Sequence, residues 1–395
     1  MFKNSKAYSI ITAILPNATV ARVIEGTVEA NGGTALAWKA RGTLLRDHWL
    51  SRWMPPIGPV KTVLQMVVPQ TEVDGIVAAT MESGRLHQQA TGAVFSTPCD
   101  HAYVGSEFRA WPEGAESSAG KHAVSESLSV ILCSVGQAYS DRVARAAVEA
   151  GAHGPIIYFT EGRGLRDRVG WLRIAKEQLQ EVQMVVADEA QVDDVFDAMA
   201  RAGGFNKPGR GLMYRMNIDK GMFNLPSSFV KHRHEANMQQ IIQAIDHLSG
   251  HTHWRDQSVF ALGDQGRVVG IEGFSAAASE QLERVALTGI VRREQMERLT
   301  DLIIDSGATG LNMTFGRFVG EEQGDKSGVR IHDEHCIVRS IIPPTVAARI
   351  CAVIDETAED LGIRDLCMLV NPIQRTATYV PGSVDHREQD KQQAA

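Results

Sequence analysis

Short apolar runs alternate along this chain with stretches in which apolar residues recur at three- and four-residue spacing, the mark of strands interleaved with amphipathic helices. The middle of the chain reads most clearly. Ser129–Cys133 (SVILC) predicts a strand, and Tyr139–Ala150, with Val143, Ala146, Ala147 and Val148 on one side, predicts a helix stopped by Gly151. Pro155–Phe159 (PIIYF) predicts a second strand, followed by a charged glycine loop, Glu161–Arg168. A third strand is expected over Glu181–Val186. A helix over Val192–Ala202 follows, its apolar face formed by Val192, Val195, Phe196 and Met199. Gly203 and Gly204 end that helix before a strand over Leu212–Asn217.

The order is β-α-β-β-α-β, the ferredoxin-like unit, in which two helices cover one face of a four-stranded antiparallel sheet and leave the other bare. The same order is expected upstream. Strands fall at Tyr8–Leu15, Thr34–Lys39, Thr62–Val68 and from Ala93, and helices at Val20–Ala30 and Val73–Met81. Leu45-Arg46-Asp47 recurs 120 positions on as Leu165-Arg166-Asp167, and Val67-Val68 recurs 118 positions on as Val185-Val186. A third, more divergent copy has strands at Val285–Val291, Gly310–Phe315, Cys336–Ile342 and Asp365–Val370. Its helices are Gln295–Asp305 and Val346–Leu361, and Gly316-Arg317 is expected to open a loop. The expected fold is therefore α+β, three tandem ferredoxin-like (βαββαβ) units that could close as an intrachain pseudo-trimer. Residues 1–104 form the first unit, 105–127 a linker and 128–221 the second unit. Residues 222–280 are an insertion with an amphipathic helix near Ala236–Leu248 and a hairpin around Asp264-Gln265-Gly266. Residues 281–384 form the third unit, and 385–395 a polar tail.

Composition narrows the classes. The 395 residues are 44% hydrophobic and 22% charged, ordinary globular values. A formal charge of −7 argues against a general nucleic-acid binder but not against a small anion held by a few local cations. The five cysteines lie apart, with no C-x-x-C pair, which fits a reduced, cytoplasmic setting. No apolar run reaches the length of a membrane span, and the opening MFKNSKAYSIITAILP is too short and interrupted for a signal peptide.

Two segments carry cations among glycines. Lys207, Gly209, Arg210 and Gly211 sit between the second helix and fourth strand of the middle unit, where glycines let backbone N–H groups approach an anion. Gly162, Arg163, Gly164, Arg166 and Arg168 fall in the charged loop. The same spacings also fit a plain turn and a solvated loop. His332-Asp333-Glu334-His335-Cys336, and the histidines at 232, 234, 247, 251 and 253, have metal-ligand chemistry, but no established ligand spacing joins them. No nucleophile elbow, Walker A loop or Rossmann fingerprint is present, so no catalytic residue is assigned.

Residues Glu161–Arg168, Glu181–Val186 and Gly203–Gly211, with His232-Arg233-His234 through Met238–Ile242 to Trp254-Arg255, resemble the PII signal-transduction proteins and their PII-like relatives. The first copy resembles them loosely, through Arg41-Gly42, Leu45-Arg46-Asp47 and Val67-Val68-Pro69. The third does so only in its fold pattern. The resemblance implies three units packed around a threefold axis, with adenine nucleotide (ATP, ADP or AMP) in the clefts between them. It implies a mobile loop that a partner protein, an enzyme or transporter, reads. Gly162, Arg163, Gly164, Arg166 and Arg168 would then line one side of a cleft. Lys207, Gly209, Arg210 and Gly211 would line its phosphate end. No cofactor is required. The alternatives are a structural or interaction subunit of a larger complex with ligand binding lost, and a metal-binding protein of the CutA kind.

Overall fold

The structure, a computed structural model, describes residues 7–42, 60–88, 91–112, 124–152, 154–164, 179–207, 209–224, 283–320 and 334–378. The expected insertion helix and hairpin, the polar tail, Leu45-Arg46-Asp47, Arg166, Arg168, His332, Asp333 and the histidines between 232 and 253 lie outside them. The chain is mixed α+β: six α-helices and fifteen strands, every strand pairing antiparallel, among the described residues.

The first stretch runs β1 (Tyr8–Pro16), α1 (Asn17–Val23), β2 (Ala35–Gly42), β3 (Val60–Pro69), α2 (Val73–Gly84) and β4 (Gly92–Cys99). The α1 helix continues as a π-helical turn over Ile24–Glu29. The second runs β6 (Leu128–Gly136), α3 (Gln137–Glu149), β7 (Ile156–Gly164), β8 (Leu179–Asp188), α4 (Val192–Gly203) and β9 (Gly211–Ile218). The third runs β11 (Val285–Arg292), α5 (Met296–Asp305), β12 (Gly310–Val319), β13 (Glu334–Ile342), α6 (Pro344–Thr357) and β14 (Leu366–Pro372). In each stretch the strands lie in the order second, third, first, fourth.

Three short strands, which the hydrophobic pattern does not flag, tie the stretches into a ring. β5 (His101–Val104) pairs with β14, β10 (Lys220–Asn224) with β4, and β15 (Arg375–Thr378) with β9. At the other edge β2, β7 and β12 pair with one another. The ring buries the faces that the helices leave bare. Ile10, Val63, Val130, Met184, Ala286 and Ile337 belong to one central apolar cluster, while three further clusters lie beneath the helix pairs.

Three details differ from the sequence reading. Glu161–Gly164 is the end of strand β7, not a loop, and pairs with Gly310–Met313 of β12. Gly316 and Arg317 likewise stay in strand β12, which runs on to pair with β2. Each glycine-bearing end finds a neighbouring edge, and a strand persists where its backbone groups are paired. The Val67-Val68 match to Val185-Val186 is one residue out of register. Val67 and Val186 face the central cluster, whereas Val68 and Val185 face the helices. A one-residue slip reverses every side chain in a strand, so the faces decide the alignment. Of the expected linker, Gly105–Pro112 is packed down. Phe108 and Trp111 are buried, and the Trp111 indole N–H donates to the Thr34 carbonyl at 2.7 Å.

Candidate anion-binding site

The α4–β9 turn is shaped by three glycines. Gly204 caps α4 in the left-handed region at φ +66°, and Gly209 follows at +75°. Gly211 sits at +118°, where a Cβ would lie 2.1 Å from the Ser134 carbonyl oxygen. Only glycine permits that approach. The turn is held by Lys207 N–H donating to the Gly204 carbonyl at 3.0 Å, and it leaves the Lys207 side chain exposed.

The turn closes one wall of a cavity of about 600 Å³. Tyr139 and Arg142, from the first turns of α3, also line it, and Arg201, Asn206, Lys207 and Arg210 complete its polar lining. Among the described residues four cations and no carboxylate line it, a field suited to an anion. The Arg210 guanidinium lies over the Tyr139 ring, 4.0 Å from its centroid, and that of Arg142 lies 5.3 Å away. Nη1 of Arg210 is buried and has no hydrogen-bond partner among the described residues. Nη1 is shut off from solvent, so what Arg210 brings to the cavity is the charge of a guanidinium held on an aromatic face.

The structure does not gather all the expected residues here. Lys207 and Arg210 line the cavity, and Gly209 and Gly211 shape its turn. Gly162, Arg163 and Gly164 lie at the same end of the second sheet but on its far edge, three strand spacings or roughly 14 Å across. Arg163 is committed there: its Nη2 meets Asp301 at 3.0 Å and its Nη1 donates to Thr300. Gly162 and Gly164 face Asn312 and Gly310 across the strand pair. The two segments therefore do not line one cleft. Sequence reasoning missed Tyr139 and Arg142; their three-residue spacing at the start of a helix was the available signal.

Register locates the corresponding positions in the other stretches. Val135 faces Gly211 and Val291 faces Leu366, so Arg210 corresponds to Asp365. In the first stretch Ile14 faces Ala93, which makes Thr91 the counterpart of Arg210. Asp365 Oδ2 accepts from Arg292 Nε at 2.6 Å and lies 3.1 Å from Nε2 of the buried His335, whose ring packs T-shaped against Phe318 at 4.3 Å between centroids. Burial pushes the Asp365 carboxyl up, but the hydrogen bonds from His335 and Arg292 outweigh it and hold it below its ordinary value. His335 thus serves a buried polar network, Glu334 pairs with Arg293, and Cys336 points to the opposite face among apolar residues. Among the described residues no three His, Cys, Asp or Glu side chains are grouped to hold a metal. The five cysteines are buried and free; burial pushes the Cys99 and Cys336 thiols up to about 12. Among the described residues no helix is long and apolar enough to cross a membrane.

No protein-family model matches the chain, and no curated protein does. Solved structures that align with it include a microcompartment protein from Desulfitobacterium hafniense DCB, at 11% identity over 67% of this chain and 98% of that one, with a TM-score of 0.16. A likeness at that level bears on neither fold family nor function.

Proposed function

We propose that the chain is three tandem ferredoxin-like, PII-like units closed as an intrachain pseudo-trimer, and that it acts as a cytoplasmic regulatory protein. It binds a small anionic ligand, an adenine nucleotide, and relays occupancy to a partner protein. The cyclic exchange of β5, β10 and β15 supports the pseudo-trimer, because each stretch lends its last strand to a neighbour. The observation that carries the ligand reading is the cavity lined by four cations and, among the described residues, no carboxylate, in which Arg210 stacks on Tyr139. One cleft, not three, carries this chemistry. The phosphate end is Lys207, Arg210 and the Gly204–Gly211 turn, with Arg142 and Arg201 in support. Gly162, Arg163 and Gly164 act instead as a joint between the second and third units.

Titration calorimetry with ATP, ADP and AMP, with and without Mg²⁺, tests this reading. Binding of at least one nucleotide is expected at one site per chain, and Arg210→Ala should weaken it by about 10- to 100-fold, the worth of a charge-assisted hydrogen bond. Absence of heat with all three nucleotides would favour the interaction-subunit alternative.

A further inference from the structure

The inner faces of the three sheets meet around a second, much smaller cavity of about 20 Å³. The lining is built from corresponding positions. Thr12 faces Gln65, Leu132 faces Met184, and Thr288 faces Arg339 across the first and third strands of their stretches. All six line the cavity, with Tyr214 and Asn371 from neighbouring strands. Gln65, Met184 and Arg339 are thus one position written three ways.

Arg339 reaches this cavity from the third stretch and is half-buried there. Nη1 donates to the Tyr158 hydroxyl at 3.0 Å and Nη2 to the Gln65 side-chain oxygen at 3.2 Å. Both partners are neutral groups. Tyr214 cannot neutralise it either, because burial pushes that phenol up to about 12 against the pull of the arginine. Among the described residues no carboxylate pairs with Arg339. An arginine stays protonated under any ordinary condition, and a buried charge without a counter-charge is strongly unfavourable.

We propose that this cavity is a built-in site for a monatomic anion, chloride under ordinary conditions, held by the Arg339 guanidinium and the hydroxyls of Thr12, Thr288 and Tyr214. Size selects the class. The cavity admits one or two particles of water size, so a halide fits where phosphate or a carboxylate ligand does not. A water molecule fits but leaves the charge uncompensated. Fusion of the three stretches makes the site possible. In a trimer of identical chains an arginine here would occur three times around one axis, and the guanidiniums would repel each other. One chain can place arginine once and set glutamine and methionine at the other two positions. The anion then serves as a structural counter-ion at the junction of all three stretches.

Two measurements test this on the full chain. Crystals grown without chloride and soaked in sodium bromide should give an anomalous peak in the cavity, in contact with Arg339. In solution the melting temperature should rise saturably by roughly 2–5 °C in sodium chloride over sodium gluconate at equal ionic strength. Arg339→Met, which installs the residue found at Met184, should abolish that difference. Water alone in the cavity of bromide-soaked crystals, or equal melting in the two salts for the unaltered chain, would overturn the proposal. Because the bromide experiment uses the unaltered protein, a folding defect in the variant leaves the test intact. Nucleotide binding in the outer cleft is read separately and does not depend on this result.

Discussion

Arg210 and Asp365 occupy the same place in two copies of one topology, and their surroundings are opposite. At Arg210 the cations outnumber every partner, the guanidinium rests on an aromatic face, and a donor is left over. At Asp365 the charge is internally matched: an arginine and a histidine converge on one carboxylate oxygen, and an aromatic ring packs against the histidine. The comparison separates two uses of burial. Where charges satisfy each other they fix a seam; where they do not, they leave a surface that attracts something else. The most direct way to break the contrast is Asp365→Ala. It removes the acceptor that the buried His335 and the partly exposed Arg292 share, and should cost about 2–3 kcal/mol after discounting for the exposure of Arg292, measured by urea unfolding. Arg210→Ala in the same assay should cost well under half as much, since the Arg210 side chain makes no hydrogen bond among the described residues.

The pH dependence follows from the same carboxylate. The folded-state value of Asp365 is held below its ordinary one, so the stability it contributes is full above about pH 4 and is lost as pH falls through the folded value. Asp365→Asn should flatten that acid limb of the stability curve, while Arg210→Ala should leave it unchanged. An identical acid limb in Asp365→Asn and the unaltered protein would show that the network does not titrate as argued.

The turn itself offers the next test. Gly92 and Gly211 both have φ in the left-handed half, at +140° and +118°, and at each an added Cβ would collide with the carbonyl oxygen of a neighbouring strand. At the third position Leu366 stands instead, without a positive φ; only the left-handed residue after the helix is kept, as Gly362 at +70° beside Gly204 at +66° and Arg85 at +52°. Gly211→Ala should therefore cost about 2 kcal/mol in urea unfolding, from backbone strain and the clash with the Ser134 carbonyl. Leu366→Ala should cost a similar amount by another route, the loss of buried apolar volume. The two losses are told apart by nucleotide affinity, which only the first should reduce.

Much of this was legible in the chain. The two periodicities located most helices and strands of the three stretches, because each element has one face committed to a core and shows it in sequence. The turn at Gly209 and Gly211 was legible because a positive φ favours glycine, and Lys207 and Arg210 stood out as cations beside it. What escaped depends on partners distant in sequence. β5, β10 and β15 are too short for their own pattern to reveal them, and they exist because a neighbouring edge is free. Arg163 read as an anion ligand because its type suits one, whereas Asp301, 138 positions later, takes up that charge. Arg339 drew no notice, since nothing local distinguishes an arginine at the molecular centre from one on the surface.

Tyr139 gives the smallest and most discriminating test of the comparison. If the ring holds Arg210 in place through its face, the hydroxyl is dispensable and the aromatic face is not. Tyr139→Phe should then bind ATP within about twofold of the unaltered protein, while Tyr139→Leu should bind about 3- to 10-fold more weakly, the range expected for a partly exposed cation–π contact. Titration calorimetry with ATP and with tripolyphosphate separates the possible causes. An equal loss for both ligands places the effect on Arg210 and the phosphates. A loss confined to ATP would mean that the ring contacts the base, and Arg210 would then owe its position to the turn alone. Equal affinity in all three proteins would remove the stacked arginine from the account of the cleft and leave Lys207, Arg142 and the glycine turn to carry it.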